Sequence, residues 1–467
     1  MILTYAQHQA ASQGTKITGL SSDAVKKLGL GAASAKTPGG LGSTSEEGLI
    51  VGLGEATVKN CVQAGRKVSR CIAEDDLAKA SFDLRALGES PELVGAFARG
   101  LCLGAYALGQ WKSDRETVGL EGHEFEIVAD LDDTTGRAVL AKAENIAAGQ
   151  MAAMHLVDRP ANAKKPRDVA KYVVELGNEH GFAVEVLDEE ALEIQGFTGI
   201  LAVGRASDYP PRLLKLHYHG GDDVHLGLVG KGITFDTGGI SIKPSQNMGF
   251  MKSDLGGAAA VLGTFVSAAA MKLPVQLHGL LAVAENAISG DAYLPSDVVR
   301  NYSGKTIEIT DTDAEGRIVM ADALAYMPEW ASPPLTFDLA TLTGSAVRTF
   351  GYECAALFTN MPDLAEQLAE AATESGERVW PLPLWAEYEA DLKSDVADVK
   401  HFHGKPIAGA INAAKFLEYF VADKQAWAHF DIAGVAFGAS EFTKDRAATG
   451  FGVALLIQYL MDRCNEL

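Results

Sequence analysis

The sequence predicts a two-domain α/β protein whose C-terminal domain is catalytic and is built on a mostly parallel or mixed central sheet flanked by helices. Three observations support this prediction: the chain has 467 residues, short apolar runs alternate with helical patterns, and one long helical pattern divides it. Domains usually contain about 100–200 residues, so this length favours two or three of them. Strands that alternate with helices favour a parallel sheet covered by helices.

The N-terminal third, residues 1–134, is predicted to be the smaller α/β domain. No cluster of His, Asp and Glu in it can be given a chemical role. Its expected elements are two strands, at 49–51 and 125–128, and a helix at 93–108.

A linker helix, residues 135–158, is predicted next, because apolar residues recur at helical spacing until Arg159 and Pro160 end the pattern. Residues 159–467 are predicted to form the catalytic domain. Ligands of a parallel sheet bind beyond the carboxyl ends of its strands, so the chemistry is expected there. The expected strands are 226–229, 275–283, 306–310, 335–339 and 428–432, and the expected helices are 258–271, 318–327 and 410–420.

Composition limits the partners and the compartment. The chain has 40 Lys and Arg against 61 Asp and Glu, a net charge of −21, and nucleic acid binding is unlikely for so acidic a protein because phosphates need a cationic face. Five scattered cysteines without CxxC spacing argue for a reducing compartment. The start lacks the pattern of a signal peptide, and the small-apolar run 256–271 is too short to span a bilayer. A cytoplasmic protein without membrane association is therefore expected.

Three segments next to predicted strands and helices concentrate carboxylates and cations. VGKGITFDTGGISIKP holds Lys231, Asp236 and Lys243; MKSDLGGAAAV holds Asp254; ITDTDAEGRIVMADAL holds Asp311, Asp313, Glu315 and Arg317.

These acids predict a metal site if they converge. In an extended segment residues i and i+2 point the same way, so Asp313 and Glu315 are expected to face one point. Two carboxylates about 4 Å apart repel by roughly 4 kcal/mol at an effective dielectric near 20. Four such groups need cations, and two divalent ions would balance them. The alternative is that the acids cap helices or make turns, with Asp254 acting only as an N-cap.

The same segments resemble the leucyl aminopeptidase family of dinuclear metallopeptidases. That family's signature is NTDAEGR, and this chain has DTDAEGR at 311–317. The VGKGITFD segment, ENAISGDAYLPSDV (285–298), GKTIEI (304–309) and DLATLTG (338–344) follow in the family's order. The resemblance runs from about Val157 to the C-terminus and implies a peptidase that releases N-terminal residues, leucine and other mostly apolar ones, from peptides.

The resemblance also implies the site residues and cofactors. Two divalent ions per subunit, Zn²⁺, Mn²⁺ or Mg²⁺, would activate water, and bicarbonate would serve as general base. The catalytic residues would be Lys243, as the cation facing the oxyanion, and Arg317. Metal ligands would be Lys231, Asp236, Asp254, Asp313 and Glu315; the first side chain would lie against Met251, Thr341 and Gly344; bicarbonate would bind Gly316, Arg317 and Leu342. A homohexamer is implied as well.

Two positions depart from the family pattern. Asp311 replaces the family's Asn and adds a negative charge beside the site, which leaves metal preference and pH optimum open. Ser296 stands where the family has Gly in PGDV. Neither departure removes a metal ligand.

Other interpretations stay open. The pairs His217/His219 and His401/His403 alternate like strand residues, but without a third ligand they are predicted to be surface or loop histidines. A two-metal phosphatase or amidase would share the carboxylates, a regulatory protein would bind DNA, and a catalytically dead homologue would lack activity. Release of amino acids from unblocked but not N-acetylated peptides distinguishes an aminopeptidase from the other hydrolases.

Overall fold

The computed structural model describes residues 1–6, 15–20, 37–44, 48–74, 78–108, 110–113, 120, 122–440, 443 and 445–465. The chain divides into two compact units, both with strands and helices. The first comprises Met1–Met151, Glu374–Gly376 and Ser440–Lys444; the second comprises Ala152–Thr373, Glu377–Ala439 and Asp445–Leu467.

The first unit contains one six-stranded sheet in the order β1-β6-β5-β2-β4-β3, in which only the edge pair β3–β4 is antiparallel. Its core includes the buried rings of Phe82, Phe97 and Phe125, which pack edge to face. The predicted strands and helix of this region are confirmed. Its elements are β1 (Ile2–Ala6), β2 (Thr15–Leu20), β3 (Leu41–Thr44), β4 (Gly48–Gly52), α1 (Val58–Glu74), β5 (Lys79–Asp83), α2 (Pro91–Gly104) and β6 (Glu124–Val128).

The helix predicted after this sheet is α3 (Asp133–Asp158), and the division between the two units falls within it. The second unit then begins with α4 (Pro166–His180), β7 (Ala183–Leu187), α5 (Glu189–Gln195), α6 (Thr198–Gly204) and β8 (Arg212–His219).

The second unit is built on an eight-stranded mixed sheet in the order β15-β14-β17-β13-β9-β10-β8-β7. Its centre, β17-β13-β9-β10, is parallel, whereas β14, β8 and β7 are joined antiparallel. The sheet strands after β8 are β9 (Val224–Asp236), β10 (Val275–Asn286), β13 (Leu335–Ala340), β14 (Ala355–Thr359), β15 (Val379–Pro381) and β17 (Ala426–Asp431).

Helices and two small sheets complete this unit. The helices are α7 (Gly256–Ala270), α8 (Gly316–Trp330), α9 (Gly344–Phe350), α10 (Pro362–Ser375), α11 (Gly409–Glu418) and α12 (Val453–Asn465). The small sheets are formed by β11 (Val298–Arg300), β12 (Thr306–Glu308) and β16 (Val399–Lys400), and by β18 (Phe437–Ala439) and β19 (Arg446–Ala448).

The predicted strands and helices of this region are confirmed with shifted ends, and the largest shift is in β9, which continues seven residues beyond its predicted end to Asp236. The central strands are nearly continuous apolar runs because helices cover both faces. Helix α7 is buried from Gly256 to Ala269, as the small-apolar run predicts. Among the described residues, Met248–Ala270 alone is long and apolar enough to cross a membrane, and 94% of its most apolar window is buried inside the protein.

Candidate metal centre

The three carboxylate-rich segments meet beyond the carboxyl ends of the parallel strands. Lys231 and Asp236 lie on β9 itself, and Asp254 ends the 3₁₀ turn that precedes α7. Asp313 lies in a second 3₁₀ turn, Thr312–Ala314, and Glu315 begins α8. Strand ends and helix starts therefore bring together residues that are up to 84 positions apart in the sequence. This is the edge of a parallel sheet at which ligands usually bind.

The extended geometry expected for Asp313 and Glu315 is wrong. The segment forms a 3₁₀ turn followed directly by helix, and Glu315 has helical angles, φ −65° and ψ −37°. The Asp311 carboxylate favours this turn by accepting the N–H of Asp313 at 3.0 Å. The two side chains still converge, because both reach toward Asp236 from one turn of tightly wound backbone.

Two lysines form ion pairs with the four carboxylates. The Nζ of Lys231 lies 2.8 Å from Asp254 and 2.9 Å from Glu315. The Nζ of Lys243 lies 2.8 Å from Asp236 and also contacts Asp313. Lys231, Asp236, Asp254 and Glu315 are buried, so the two pairs of Lys231 lie in a medium that weakly screens charge, whereas Lys243 and Asp313 are partly exposed.

The cluster carries more negative than positive charge. Four carboxylates against two ammonium groups leave a formal charge of −2 when all are ionised. Carboxylate oxygens of Asp236, Asp313 and Glu315 lie within 4.8 Å of one another, a spacing at which one cation can bridge them. The donor set therefore fits divalent cations, which prefer carboxylate oxygens.

The shifts in pKa follow from burial first and from this excess of negative charge second. Burial raises the pKa of Asp254 well above its usual value and raises that of Asp236, with Glu315 adding to the shift of Asp236. Burial and Asp236 raise the pKa of Asp313 to about 7, against the opposing effect of Lys243. Burial lowers the pKa of Lys231, but Asp254 and Glu315 outweigh it and the net shift is upward. A cation in the cluster would reverse these shifts by replacing protons.

Asp254 is not an N-cap. The residue that caps α7 is Leu255, which makes no side-chain hydrogen bond to the helix. The carboxylate of Asp254 instead accepts hydrogen bonds from Lys231 at 2.8 Å and from the Thr341 hydroxyl at 2.9 Å. Its side chain is therefore directed into the cluster.

Gly316 and Arg317 lie at the start of α8, beside the cluster. A Cβ on Gly316 would lie 2.4 Å from the Cε of Lys231, so any residue larger than glycine would clash with the lysine side chain. Buried Arg317 donates to the carbonyl of His401 at 2.7 Å and to the Asn412 amide oxygen at 3.3 Å. Burial lowers the pKa of Arg317 to about 10, so the guanidinium stays charged at neutral pH.

A cavity of about 630 Å³ opens beside the cluster. Its lining includes Met251, Thr341 and Gly344, the residues predicted to contact the first side chain, together with Leu342. The N–H of Leu342, predicted to bind bicarbonate, donates to the Asp431 carboxylate at 3.1 Å.

Asp431 is one of the functional residues that the sequence analysis missed. Its buried carboxylate accepts from the N–H groups of Leu342 and Ala433 and from the hydroxyl of Thr343 at 2.7 Å. These bonds fix the loop between β13 and α9, whose Thr341 carbonyl accepts from Lys231 at 3.2 Å. The sequence feature that could have identified Asp431 is an acidic residue near the end of a predicted buried strand.

Asn286, at the end of β10, is a second such residue. Its amide donates to Asp236 at 2.8 Å and to the carbonyl of Thr312 at 3.0 Å. The Tyr293 hydroxyl donates to the same carbonyl at 2.9 Å. Both residues belong to the motif at 285–298, which had no assigned role.

His401 supports the third segment from behind. It lies in a loop, as predicted, but it is buried rather than at the surface. Its Nδ1 lies 3.3 Å from the N–H nitrogen of Thr310 and 3.1 Å from the Glu308 carbonyl oxygen, and its Nε2 lies 2.7 Å from the carbonyl oxygen of Asp311. Burial, with the nearby Arg317 charge, lowers the pKa of His401 to about 4, which keeps the ring neutral. His403, also buried, contacts the carbonyl of Ile407.

The two departures from the family pattern have different structural consequences. Asp311 makes its turn hydrogen bond through a carboxylate oxygen, a bond that an Asn side chain makes equally well, so the substitution adds charge without changing this contact. Ser296 has φ +84°, the left-handed region that favours glycine.

The other predicted histidine pair, His217 and His219, lies on strand β8, outside the acidic cluster. His217 is half-buried on β8 and stacks on His278 of β10, with ring centroids 4.5 Å apart, whereas His219 is exposed. His225 of β9 lies within 3.1 Å of His278, from Nε2 to Nδ1.

Comparison with known proteins identifies the family. Residues 151–457 match the catalytic domain of the cytosol aminopeptidase family. The chain belongs to this family. It is 40% identical over 436 residues to a "Probable cytosol aminopeptidase" of Syntrophotalea carbinolica, covering 90% of this chain and 86% of the relative. A protein of the same name from Geobacter sp. strain M21 is 40% identical over 423 residues, covering 89% and 86%.

A solved structure supports the fold. "Bottromycin maturation enzyme BotP in complex with Mn" is similar with a TM-score of 0.85 and 32% identity, over 97% of this chain and all of that one. The predicted resemblance and the α/β fold are thus confirmed, and the protein is a hydrolase of the metal-dependent aminopeptidase class.

Proposed function

We propose that this aminopeptidase holds two divalent cations and removes residues one at a time from the free amino ends of peptides. The observation that carries the proposal is the convergence of Asp236, Asp313 and Glu315 on one point, with Lys231 joining Asp254 to the same cluster. Asp236 and Glu315 would supply carboxylate oxygens to both ions, Lys231 and Asp254 would help to hold one ion, and Asp313 would help to hold the other. Lys231 would bind as a neutral amine. Zn²⁺ and Mn²⁺ suit these donors, Mg²⁺ is a further candidate, and Mn is named for the similar BotP structure.

Bound divalent ions supply a site for the substrate amine, polarise the scissile carbonyl and lower the pKa of water. The protein's own residues orient the substrate and balance charge. Lys243, at the edge of the cluster beside Asp236 and Asp313, would place a fixed cation where negative charge develops on the carbonyl oxygen. Met251, Thr341 and Gly344 would contact the first side chain, with the apolar ones favouring leucine and similar residues.

Arg317 would hold bicarbonate, which supplies a proton acceptor when bound. The guanidinium is charged and lines the cavity beside the cluster, and its Nε has no hydrogen-bond partner among the described residues. Gly316 and Leu342 would add backbone N–H groups. Because Leu342 already donates to Asp431, bicarbonate would share or replace that hydrogen bond.

Assembly as a homohexamer in the cytoplasm completes the proposal. Large apolar side chains are exposed on the second unit, including Trp380, Trp385, Val396 and Ile407. Contacts between copies would bury such groups. Light scattering after gel filtration tests the hexamer directly, and a monomer at micromolar concentration would contradict it.

The activity is tested with leucine p-nitroanilide, assayed after chelation and again after addition of Mn²⁺ or Zn²⁺. We expect activity to vanish with chelator, to return with metal and to be absent in Asp313→Ala. N-acetyl-leucine p-nitroanilide should not be cleaved, since its amine is blocked. Activity that is indifferent to metal or to Asp313, or cleavage of the blocked substrate, would overturn the mechanism.

A further inference from the structure

The cavity beside the acidic cluster has a wall that carries two arginines. Helix α9 presents Gly344, Val347 and Arg348 to the cavity, and this spacing of three and four residues places them on one helix face. A Cβ on Gly344 would lie 3.4 Å from Nη1 of Arg348, so the guanidinium lies over the glycine predicted to contact the first side chain. Arg348 therefore lies on the substrate side-chain wall, one helical turn beyond Gly344.

The second arginine reaches the same wall from β19. Arg446 donates to the hydroxyl of Tyr352 at 2.7 Å, and its guanidinium lies 4.5 Å from the centre of that ring. Tyr352 follows α9 directly, and the arginine also lies 5.3 Å from the ring of Phe250. Phe250 in turn packs against Phe437, with centroids 5.9 Å apart. The wall thus combines apolar rings with cationic groups.

The two arginines lack an anionic partner within the described part of the chain. No described carboxylate lies within 4.0 Å of the guanidinium of Arg348 or Arg446. Lys405, which also lines the cavity, has such a partner, because its ammonium lies 2.6 Å from the Asp391 carboxylate. In a chain with a net charge of −21, two arginines without a direct carboxylate partner on one wall of the cavity favour an anionic group at that wall.

We propose that this wall selects peptides whose first residue carries a side-chain carboxylate, so that N-terminal glutamate is preferred over its neutral isostere glutamine. This inference rests on the proposed function. The methylene groups of glutamate would pack against the apolar part of the wall, near Met251 and Phe250, and the carboxylate would reach Arg348 and Arg446. Leucine would use the apolar part alone.

The size of the preference follows from the exposure of the arginines. Arg348 is exposed and Arg446 half-buried, so solvent and salt screen both charges in part. Hydrogen bonds between guanidinium and carboxylate are stronger than neutral ones. We expect kcat/KM for glutamyl p-nitroanilide to exceed that for glutaminyl p-nitroanilide by about tenfold at low salt, and the ratio to fall as salt is added.

The test measures this Glu/Gln ratio in the Mn²⁺-loaded enzyme and in variants. Arg348→Gln should lower the ratio severalfold, Arg348→Lys should keep part of it, and Arg348→Glu should shift the preference toward lysyl p-nitroanilide. Lys405→Gln is the matched control, because it removes the same positive charge from a residue of the same cavity lining that is already paired with a carboxylate. It should leave the ratio within twofold of the wild-type value.

Leucyl-glutamate and leucyl-glutamine amides provide the second arm. Arg348→Gln could change the ratio of kcat/KM between these two amides and leave the ratio between glutamyl and glutaminyl p-nitroanilide unchanged. In that case the arginines recognise the leaving part of the peptide, and the proposal is overturned. A wild-type ratio of one, or equal losses in Arg348→Gln and Lys405→Gln, would overturn it as well. Absence of cleavage of leucine p-nitroanilide by the metal-loaded wild type would instead contradict the proposed function itself.

Discussion

The two ends of strand β9 carry two clusters of ionisable side chains that differ in how their charges are satisfied. Near the amino end, His225 contacts His278 of the neighbouring strand β10, and His278 in turn stacks on His217 of β8. Near the carboxyl end, Lys231 and Asp236 join the acidic cluster. At about 3.3 Å per residue, Lys231 and Asp236 lie six and eleven positions beyond His225, roughly 20 and 36 Å along the strand.

The histidine cluster has no excess charge to be neutralised. Burial lowers the pKa of all three rings, to about 4 for His278, so they are neutral at pH 7. His278 also packs edge-on against Trp330 at 5.0 Å. The acidic cluster is the reverse case, because its carboxylates outnumber its lysines. An uncompensated buried charge, rather than a concentration of polar residues, is therefore what distinguishes the candidate site in this sheet.

The largest expected difference between the clusters is in their response to metal. Glu315→Gln should lower kcat/KM by at least a thousandfold, because it removes a buried carboxylate from the point where the cations would bind. Mn²⁺ at about one hundred times its Kd should stabilise the wild type by about 2.7 kcal/mol and this variant far less. Thermal unfolding with and without Mn²⁺, and metal content by mass spectrometry, measure both effects.

His278→Phe is the control for that experiment. It should retain the stabilisation by Mn²⁺, since its cluster is not predicted to bind metal. A loss of Mn²⁺ stabilisation in His278→Phe, or its retention in Glu315→Gln, would remove the distinction between the two ends of the strand.

The next largest effect is expected from a steric clash at Gly316. Gly316→Ala would place a methyl group 2.4 Å from Lys231, and the lysine cannot move without leaving Asp254 and Glu315. We expect a loss of about 2–4 kcal/mol in the free energy of unfolding together with loss of activity. Urea unfolding measures the stability. Gly290→Ala is the matched control, because a Cβ there meets nothing within 4 Å, and it should change stability by less than about 1 kcal/mol.

A smaller effect is expected from the positioning residue His401. His401→Gln should weaken Mn²⁺ binding by about 10–100-fold, as is usual for residues that orient metal ligands. The reason is that the ring holds Thr310 and Asp311, which lead into the turn with Asp313. Metal titration by calorimetry measures the affinity. An equal loss of stability with and without metal, and an unchanged affinity, would mean that His401 only supports the fold.

Much of the fold and of the acidic cluster was predictable from the sequence, because the patterns that predict them involve residues close together in the chain. The strands and α7 were predicted because apolar runs and helical spacing are properties of neighbouring residues. The resemblance placed Asp236, Asp254 and Glu315 in one site. The 3₁₀ turn before Glu315 was not predicted, since it depends on the side chain of Asp311 and on the contact with His401. Asp431 was missed for the same reason: its partners lie 88 and 89 positions away.

The histidine cluster should make stability depend on pH. The pKa of His278 is lowered from 6.5 by burial and by its two neighbours, so protonation favours the unfolded chain. The contribution of this ring is fully present above pH 6.5 and is lost as the pH falls toward 4. Since the ring is partly screened by solvent, we expect a loss of about 1 kcal/mol between pH 7 and 5. Thermal unfolding of metal-free wild type and His278→Phe measures it, and an equal pH dependence in both would contradict the assignment.

The smallest expected effect comes from a change at Ser296. It tests which contacts fix the backbone that leads into the acidic cluster. The Ser296 N–H donates to the Ile309 carbonyl at 2.7 Å, and the Ile309 N–H donates to the Asp297 carbonyl at 2.9 Å, so this loop holds the chain that leads to Asp311. A serine at φ +84° costs about 1 kcal/mol relative to glycine. Ser296→Gly should therefore stabilise the protein by about that amount in urea unfolding, with Mn²⁺ affinity unaltered. A gain in stability with weaker Mn²⁺ binding would mean that the strained serine, rather than the two backbone hydrogen bonds, positions the metal ligands that follow.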